Sequence, residues 1–303
     1  MTRCLTLLIA TAISMFCCGN LVSSDQQPDE QLVERILREF RNPKSEHVMV
    51  VAHRGGWRHA REYNAPENSL ANIDKAVRLG YDVFETDVSR TKDGHLILMH
   101  DPSVSRTTNG NGKVRDLTLA EIKELRLRVA SGKKEITDQQ VPTFQEALRR
   151  AKGRIMFKID LKSGVGSLQQ VLDELIAEKM LEHAMIRVGD RGSSIRSVKE
   201  TLAMSPKCEK AIILFRCKSL ERVQQVIREF HPPVIEIQGV DLGITAEHRE
   251  MAKAILTSGA RVEAHASEDP ADWPAQIEIG ISAFHTKWPR IMIAWLRERE
   301  LHW

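Results

Sequence analysis

The stretch DVFETDVSRTKDGHLILMHD, residues 82–101, decides the fold. Two apolar runs, Asp82–Arg90 and His95–His100, flank the tetrapeptide Thr91-Lys92-Asp93-Gly94. An Asp-Gly pair between two such runs predicts a tight β-hairpin. We therefore expect these two strands to be antiparallel, and one of them to be additional to the sheet that the rest of the chain builds.

Outside the hairpin, strand and helix patterns alternate along the chain. Nine apolar runs are predicted as strands: Val48–Ala52, Asp82–Val88, Leu96–Met99, Ile155–Leu161, Ala184–Val188, Ala211–Phe215, Val234–Ile237, Arg261–Ala264 and Ile281–Phe284. Helical patterns lie between most of them, at Ser69–Leu79, Leu168–Met180, Ser194–Met204, Leu220–Phe230, Ala246–Ser258 and Ile291–Glu300. Repeated strand–helix units predict a parallel sheet covered by helices.

This pattern predicts an α/β protein, a distorted (β/α)₈ TIM barrel. Setting aside one hairpin strand leaves the eight strands that such a barrel requires. A doubly wound open sheet is the alternative architecture. The segment Asp101–Pro142, with its Gly/Asn-rich loop Arg106–Gly112 and a helix at Thr118–Leu127, is an insertion after the second strand. Another helix is expected to start at Pro142, with Thr143 and Glu146 in its first turn.

The N-terminal region divides into two parts ahead of a domain spanning residues 47–303. Residues 1–24 have the charge, apolar core and small-residue end of a secretory signal peptide. This predicts an exported protein, periplasmic or secreted, that does not remain inserted in a membrane after cleavage. A membrane anchor, or a lipid anchor through Cys17 or Cys18, is the alternative. Residues 25–46 form a linker and one amphipathic helix.

The composition is that of a soluble globular enzyme. The 303 residues are 42% hydrophobic and 28% charged, with a net charge of +3. The sequence shows no concentrated basic face of the kind that binding to nucleic acid would require, so no nucleic-acid partner is expected. Outside the leader the chain has only Cys208 and Cys217, whose spacing allows either a disulfide or two free thiols.

Carboxylates alternate at the ends of two predicted strands. Glu85 and Asp87 are two residues apart, so their side chains project from the same face of a strand. Asp160 and Lys162 repeat this spacing. Carboxylates that converge in an apolar barrel need a compensating cation, and oxygen ligands favour Mg²⁺ or Ca²⁺. Solvated side chains or a buried ion pair are the structural alternatives.

Two histidines end strands near these carboxylates. His53 follows the first strand, and a hairpin that turns at Asp93-Gly94 pairs His100 close to Glu85. Histidines can act as general acid and base near neutral pH, although a lone histidine is more often structural. The guanidinium of Arg54 suits a phosphate, and Lys162 can add a point charge.

These motifs, in this order, resemble those of the glycerophosphodiester phosphodiesterases. The resemblance is specific from Val48 to Lys162 and diffuse beyond it. The motifs that carry it are His53-Arg54-Gly55, Pro66-Glu67-Asn68-Ser69, Glu85-Thr86-Asp87, Thr91-Lys92-Asp93-Gly94, His100-Asp101, Arg106-Thr107-Thr108-Asn109-Gly110, Val141–Leu148 and Ile159-Asp160-Leu161-Lys162. It implies a distorted TIM barrel that uses one divalent cation to hydrolyse small glycerophosphodiesters to sn-glycerol 3-phosphate and an alcohol.

The resemblance also implies roles for individual residues. His53 and His100 correspond to the acid–base pair, Glu85 and Asp87 to metal ligands, and Lys162 to the lysine of the family's Glu-Ile-Lys motif. Asp160 stands where the family's third metal ligand is usually glutamate. Three further residues extend the site: Arg54 and Lys162 as catalytic and substrate-binding cations, and Glu67 near the metal and phosphate.

The last third of the chain departs from the family pattern. Residues 262–267 replace a Trp-Thr or Asn-Thr pair, and Thr286-Lys287-Trp288-Pro289 replaces Thr-Asp-x-Pro. Those changes leave the alcohol moiety open, as they do the choice of metal and the oligomeric state. A phosphodiesterase acting on lysophospholipids is one rival, and it would need an exposed apolar rim such as Trp57 and Tyr63. A catalytically inactive barrel that binds phosphodiesters or sugars is the other rival.

Overall fold

A computed structural model describes residues 30–42, 44–129 and 135–303, so the proposed signal peptide lies outside the described residues. Each of the nine strands predicted from the sequence is present. They are β1 (Met49–Ala52), β2 (Val83–Arg90), β3 (Leu96–Leu98), β4 (Met156–Leu161), β5 (Ala184–Gly189), β6 (Ile212–Cys217), β7 (Val234–Ile237), β8 (Arg261–His265) and β9 (Ile281–Thr286).

Eight of these strands close into a parallel barrel. The order is β1-β2-β4-β5-β6-β7-β8-β9, and β9 pairs back onto β1. One edge of β2 is shared, because its first residues pair with β1 and its last three pair antiparallel with β3. The closed barrel and the hairpin excursion are therefore confirmed, and the open sheet is excluded.

Helices cover the outside of the barrel. They are α1 (Glu30–Arg41), α2 (Ala60–Tyr63), α3 (Leu70–Arg78), α4 (Leu119–Lys123), α5 (Phe144–Ala151), α6 (Leu168–Ala177), α7 (Gly192–Ala203), α8 (Leu220–Phe230), α9 (Ala246–Thr257), α10 (Trp273–Glu278) and α11 (Pro289–Arg297). Among the described residues, none of these helices has the length and hydrophobicity needed to cross a bilayer.

The alternation along β2 and β4 sorts side chains between two environments. Phe84 and Phe157 point outward and pack with the helices in one large apolar cluster. Val83 and Met156 point inward and join a second cluster at the bottom of the barrel. Since side chains two apart share a face, the residues that follow Val83 and Met156 by two and four positions point into the barrel interior. The sequence therefore places carboxylates inside the upper half of the barrel.

Helix α1 closes the bottom of the barrel. Its apolar residues at helical spacing, Val33, Ile36, Leu37 and Phe40, are buried in the same cluster as Val83 and Met156. The buried Arg261 of β8 donates to the carbonyl oxygen of Phe40 (3.1 Å) and to that of Asn42 (3.1 Å). This arginine satisfies carbonyls that have no partner at the helix end, so the predicted N-terminal helix is an integral part of the barrel.

The insertion differs from the sequence expectation in two details. Helix α4 ends at Lys123 rather than Leu127, because the backbone of Leu127 bonds to Gln139 and Thr137 in extended structure. Helix α5 starts at Phe144 rather than Pro142, because Thr143 is its N-cap and forms a reciprocal pair with Glu146. Cys208, which precedes β6, and Cys217, the last residue of β6, are both buried free thiols.

Candidate active site

Three carboxylates meet at the carboxyl ends of β2 and β4. Glu85 and Asp87 are inward residues of β2, and Asp87 lies in register with Asp160 of β4. One ligand oxygen from each of Glu85, Asp87 and Asp160 lies within 4.8 Å of the others. The two strands therefore bring the three predicted metal ligands together.

The electrostatics of this cluster call for a cation. Burial, together with the charges of Asp87 and Asp160, raises the pKa of Glu85 to about 8. Lys162 partly offsets the repulsion, with its Nζ 3.0 Å from Asp87 Oδ1 and 2.7 Å from Asp160 Oδ2. Asn68 Nδ2 donates to Asp87 Oδ2 at 3.0 Å. A positioned set of oxygen ligands that holds an excess proton fits a hard divalent cation.

The loop after β1 brings His53 and Arg54 against these carboxylates. Arg54 adopts a left-handed backbone (φ 48°), which is uncommon for a residue other than glycine. In that conformation its N–H donates to Glu85 Oε2 at 2.7 Å, and its carbonyl accepts from Asn72 Nδ2 at 2.7 Å. Gly55 (φ 69°) packs so closely on Phe84 that no larger residue fits. The loop therefore has one tightly determined conformation.

His53 is held as a neutral imidazole. Its burial, reinforced by the nearby charge of Arg54, lowers its pKa to about 2. Its Nδ1 is buried without a hydrogen-bond partner among the described residues. A neutral imidazole has a nitrogen lone pair available, which is the state that a general base requires.

His100 has a different environment. Its Nδ1 lies 2.6 Å from Asp101 Oδ1, and its side chain is 30% exposed. The hydrogen bond from Arg106, foremost, and that from His100 lower the pKa of Asp101 to about 2. Asp101 is therefore ionised near neutral pH, and it accepts a hydrogen bond from His100 Nδ1 that orients the ring.

A chain of ion pairs connects His100 to the loop after β1. Arg106 donates to Asp101 and also to both carboxylate oxygens of Glu67. Its Nη1 lies 2.9 Å from Glu67 Oε2 and its Nη2 lies 2.8 Å from Glu67 Oε1. Glu67 in turn accepts from Arg54 Nη1 at 3.3 Å. Glu67, which the sequence predicts to bind substrate, is only 6% exposed, and its carboxylate accepts hydrogen bonds from both arginines. This geometry favours a role in positioning Arg54 and Arg106 over direct contact with a substrate.

The register of the hairpin agrees with the sequence expectation that His100 pairs close to Glu85. Val88 pairs with Leu98, and the N–H of Met99 donates to the carbonyl of Asp87. Extending this register places His100 opposite Thr86, the neighbour of Glu85. The hairpin therefore brings His100 to the same end of the barrel as the carboxylates.

Below the carboxylates, the barrel holds a charged layer that the sequence reasoning missed. Lys158, in register with Glu85, is fully buried, lies 2.9 Å from Glu236 Oε2 and also pairs with Glu263. Burial alone would lower the pKa of Lys158, but Glu236 and Glu263 reverse this and raise it. Arg187 links this layer to Asp160, with its Nη1 2.8 Å from Asp160 Oδ1 and its Nε 3.1 Å from Glu236 Oε2.

Two further histidines, from β8 and β9, line the interior. The His285 ring lies 5.0 Å from that of His53 and 4.3 Å from that of His265. His53, Glu85 and His285 form a second group whose ligand atoms lie within 4.8 Å of one another. The i, i+2 spacing of Glu263 and His265 on β8 was a signal for inward side chains that could have revealed them.

The loops after β8 and β9 carry the departures noted in the sequence. Lys287 Nζ pairs with Glu268 at 2.6 Å, and Trp288 Nε1 donates to Glu268 at 3.0 Å. Trp57 and Tyr63 are both half-buried, with the Arg58 guanidinium over the Trp57 ring and that of Arg78 over the Tyr63 ring. These two aromatic side chains do not form the exposed apolar rim expected of an enzyme that acts on lipid.

Comparison with known proteins places this arrangement among relatives. The model of the glycerophosphoryl diester phosphodiesterase family matches residues 53–286. The glycerophosphodiester phosphodiesterase of Caldanaerobacter subterraneus subsp. tengcongensis is 30% identical over 259 residues, which are 83% of this chain and 98% of that protein. A Bacillus subtilis protein of the same name is 26% identical over 254 residues, which are 80% of this chain and 84% of that one.

Solved structures share the fold. A glycerophosphoryl diester phosphodiesterase from Parabacteroides distasonis superposes with a TM-score of 0.72 at 23% identity, covering 88% of this chain and 92% of that chain. A phosphodiesterase from Oleispira antarctica, solved in complex with its product sn-glycerol-3-phosphate, superposes with a TM-score of 0.65 at 21% identity, covering 82% and 96%.

Proposed function

This chain belongs to the glycerophosphoryl diester phosphodiesterase family, and we propose that it hydrolyses glycerophosphodiesters to sn-glycerol 3-phosphate and an alcohol. The observation that carries the proposal is that two histidines, two cations and three carboxylates converge at one end of the barrel. In a TIM barrel the carboxyl ends of the strands carry the active site. An inactive binding barrel would not need both histidines together with a complete ligand set.

The proposed cation site consists of Glu85, Asp87 and Asp160. All three ligands are carboxylates, which favours Mg²⁺ or Ca²⁺ over softer metals. When bound, such a cation would supply positive charge next to a phosphate oxygen. The alternative group of His53, Glu85 and His285 includes His53, which the proposal uses for proton transfer, so we assign the cation to the carboxylates.

The protein's own cations also contribute charge at the phosphate. Arg54 and Lys162 both contact Asp87, at 3.6 Å and 3.0 Å, so their positive groups border the carboxylate cluster. Preorganised charge directed at a developing negative charge is usually the largest catalytic contribution. Glu67 contributes indirectly, by accepting from Arg54.

We assign the two proton transfers from the environments of the histidines. His53, which is neutral, removes a proton from the nucleophile, which is either water or the neighbouring glycerol hydroxyl. His100, which adjoins the anionic Asp101, gives a proton to the oxygen of the leaving alcohol. The oxygen of the nucleophile bonds to phosphorus as the P–O bond to the alcohol breaks. With water as the nucleophile, the product is sn-glycerol 3-phosphate. With the glycerol hydroxyl, the product is a cyclic phosphate, which water then opens by forming a new P–O bond as one ring P–O bond breaks.

Release of sn-glycerol 3-phosphate from glycerophosphocholine and glycerophosphoethanolamine, with Mg²⁺ or Ca²⁺, tests this proposal. We expect His53→Ala and His100→Ala each to lower turnover by about 10²-fold or more, the usual contribution of a positioned acid or base. His95→Ala is the matched control, because the side chain of His95 is 56% exposed on the hairpin and lies outside the site. Full turnover in either active-site variant would contradict the proposal.

We also propose that the enzyme is exported, on the basis of the leader pattern in residues 1–24. N-terminal sequencing of the protein purified from its own cells tests this. A mature chain that begins near Asp25 supports export, and a chain that retains Met1 contradicts it.

A further inference from the structure

A cleft of about 580 Å³ leads away from the proposed phosphate site on the side of the insertion. Its inner end is formed by His100 and Lys162, which the proposed function places at the leaving alcohol and at the phosphate. Its outer part is lined by Arg90, Lys113 and Arg115. A diester whose leaving oxygen faces His100 would therefore direct its alcohol moiety along this cleft.

The charge of this cleft has one sign. Among the described residues that line it, the charged side chains are Arg90, Lys113, Arg115 and Lys162, and none is a carboxylate. Arg115 has only a long ion pair, 3.8 Å from Asp116, and its side chain is 76% exposed. Within the described part of the chain, no carboxylate lies within ion-pair distance of Arg90 or Lys113. Their charge is therefore not neutralised by neighbours.

Hydrogen bonds fix the backbone that carries these cations. Arg90 is the last residue of β2, pairs with Leu96 of the hairpin, and donates its N–H to Ser163 Oγ at 3.0 Å. Lys113 forms a bridge with Ser103, and the next residue, Val114, donates to the carbonyl of Pro102 at 2.9 Å. The hairpin and the insertion thus each contribute one cation to the lining of the same cleft.

A second cleft, on the other side of the segment that follows β4, differs in its charge balance. Two carboxylates, Asp160 and Asp190, lie among its five cations, which are Arg187, Arg191, Arg216, Lys218 and Arg222. Arg187 is paired with Asp160 and Glu236, and Arg216 with Glu236. This cleft therefore combines both signs of charge, and its cations supply a comparison for those of the first cleft.

We infer that the cleft of Arg90 and Lys113 binds an anionic group on the leaving alcohol, so that the preferred substrates are glycerophosphodiesters whose alcohol carries a carboxylate or a phosphate. This inference rests on the proposed function and goes beyond it by naming the substrate class. Long-range attraction of an anion to unpaired, partly exposed cations contributes modestly per charge and is screened by salt.

Matched pairs of substrates test the inference. Glycerophosphoserine and glycerophosphoethanolamine differ by one carboxylate, and glycerophosphoinositol 4-phosphate and glycerophosphoinositol differ by one phosphate. At low ionic strength we expect kcat/KM to be about fivefold higher for the anionic member of each pair, with the ratio falling as salt is added. The double variant Arg90→Gln/Lys113→Gln should bring that ratio close to one.

The control is Lys218→Gln/Arg222→Gln, which removes two cations from the second cleft and should leave the ratio unchanged. A wild-type ratio of one, an unchanged ratio in the first double variant, or an equal loss in the control would overturn the inference. The inference would also be overturned if Arg90→Gln/Lys113→Gln lost binding to phosphatidylglycerol vesicles while its kcat/KM ratio stayed unchanged. The two cations would then bind a membrane surface and not the substrate. Failure to release sn-glycerol 3-phosphate from any of these diesters would instead overturn the proposed function.

Discussion

Gly55→Ala should destabilise the protein because Gly55 is both left-handed and tightly enclosed. A Cβ atom built there lies 2.8 Å from Cγ of Asn72, and closer still to the ring of Phe84. The left-handed backbone costs about 1–2 kcal/mol for a residue with a side chain. Overpacking a buried site adds about 1–3 kcal/mol. The sum is about 2–5 kcal/mol of unfolding free energy, or a fall in Tm of about 4–10 °C.

Gly259→Ala separates the two contributions. Gly259 follows the C-cap of α9 with a left-handed φ of 84°, against 69° for Gly55, but a Cβ there would meet no atom within 4 Å. It should therefore lose only the conformational part, about 1–2 kcal/mol. The difference between the two variants, measured by urea denaturation and by calorimetry, gives the steric cost. Equal losses would refute the packing argument for this loop.

Gly55→Ala should also lower the activity of the enzyme. Asn72 holds the carbonyl of Arg54, so displacing Asn72 shifts the segment that carries His53. A misplacement of about 1 Å can cost about 10²-fold in rate. We expect kcat to fall in Gly55→Ala at a temperature where the variant remains folded, and to stay near the wild-type value in Gly259→Ala, which lies before the amino end of β8.

Three other predictions concern ionisable groups. Burial alone would raise the pKa of Asp82, but hydrogen bonds from His302 and His47 lower it. The ionised Asp82 therefore stabilises the folded protein above pH ~4, and this stabilisation is lost as the pH falls below that value. Asp82→Asn should cost about 3 kcal/mol at pH 7, and progressively less in acid. Asp101→Asn should lower kcat about tenfold or more, since a hydrogen bond to a charged group contributes about 1.5–3 kcal/mol and its loss frees the His100 ring to reorient. Because the pKa of Glu85 is raised to about 8, metal binding at pH 7 should release a proton.

Each of these has a direct measurement. Urea denaturation between pH 2 and pH 6 follows Asp82→Asn, and a loss that stays constant down to pH 2 would contradict the charge argument. For Asp101→Asn, steady-state kinetics on glycerophosphocholine measure kcat, and an unchanged kcat would show that Asp101 does not position His100. Titration calorimetry of Mg²⁺ in buffers of different ionisation enthalpy counts released protons, and a count of zero at pH 7 would contradict the protonated state of Glu85.

The sequence was sufficient for the architecture because the relevant signals are local. Strand–helix alternation, the Asp93-Gly94 turn and the apolar spacing of α1 each depend on a few neighbouring residues, and each prediction is confirmed. The i, i+2 rule also placed Glu85 and Asp87 on one face. The Asp93-Gly94 turn also placed His100 close to Glu85, and the observed register, which extends to His100 opposite Thr86, agrees.

The sequence was insufficient wherever the stagger of distant strands decides the contacts. The burial of Lys158 between Glu236 and Glu263 depends on how far β4, β7 and β8 are displaced along the barrel axis. The same holds for His285, which approaches His53 only because β9 closes onto β1. The orientation of Glu67 toward Arg106 could not be predicted, because it depends on the path of the insertion.

We propose that diester hydrolysis requires a divalent cation bound by Glu85, Asp87 and Asp160. The most direct test is the rate of sn-glycerol 3-phosphate release from glycerophosphocholine by chelator-treated protein, before and after Mg²⁺ or Ca²⁺ is restored. We predict negligible turnover without metal, recovery in the wild type, and no recovery in Glu85→Gln at the same metal concentration. Undiminished turnover by protein shown to be free of metal would contradict the account.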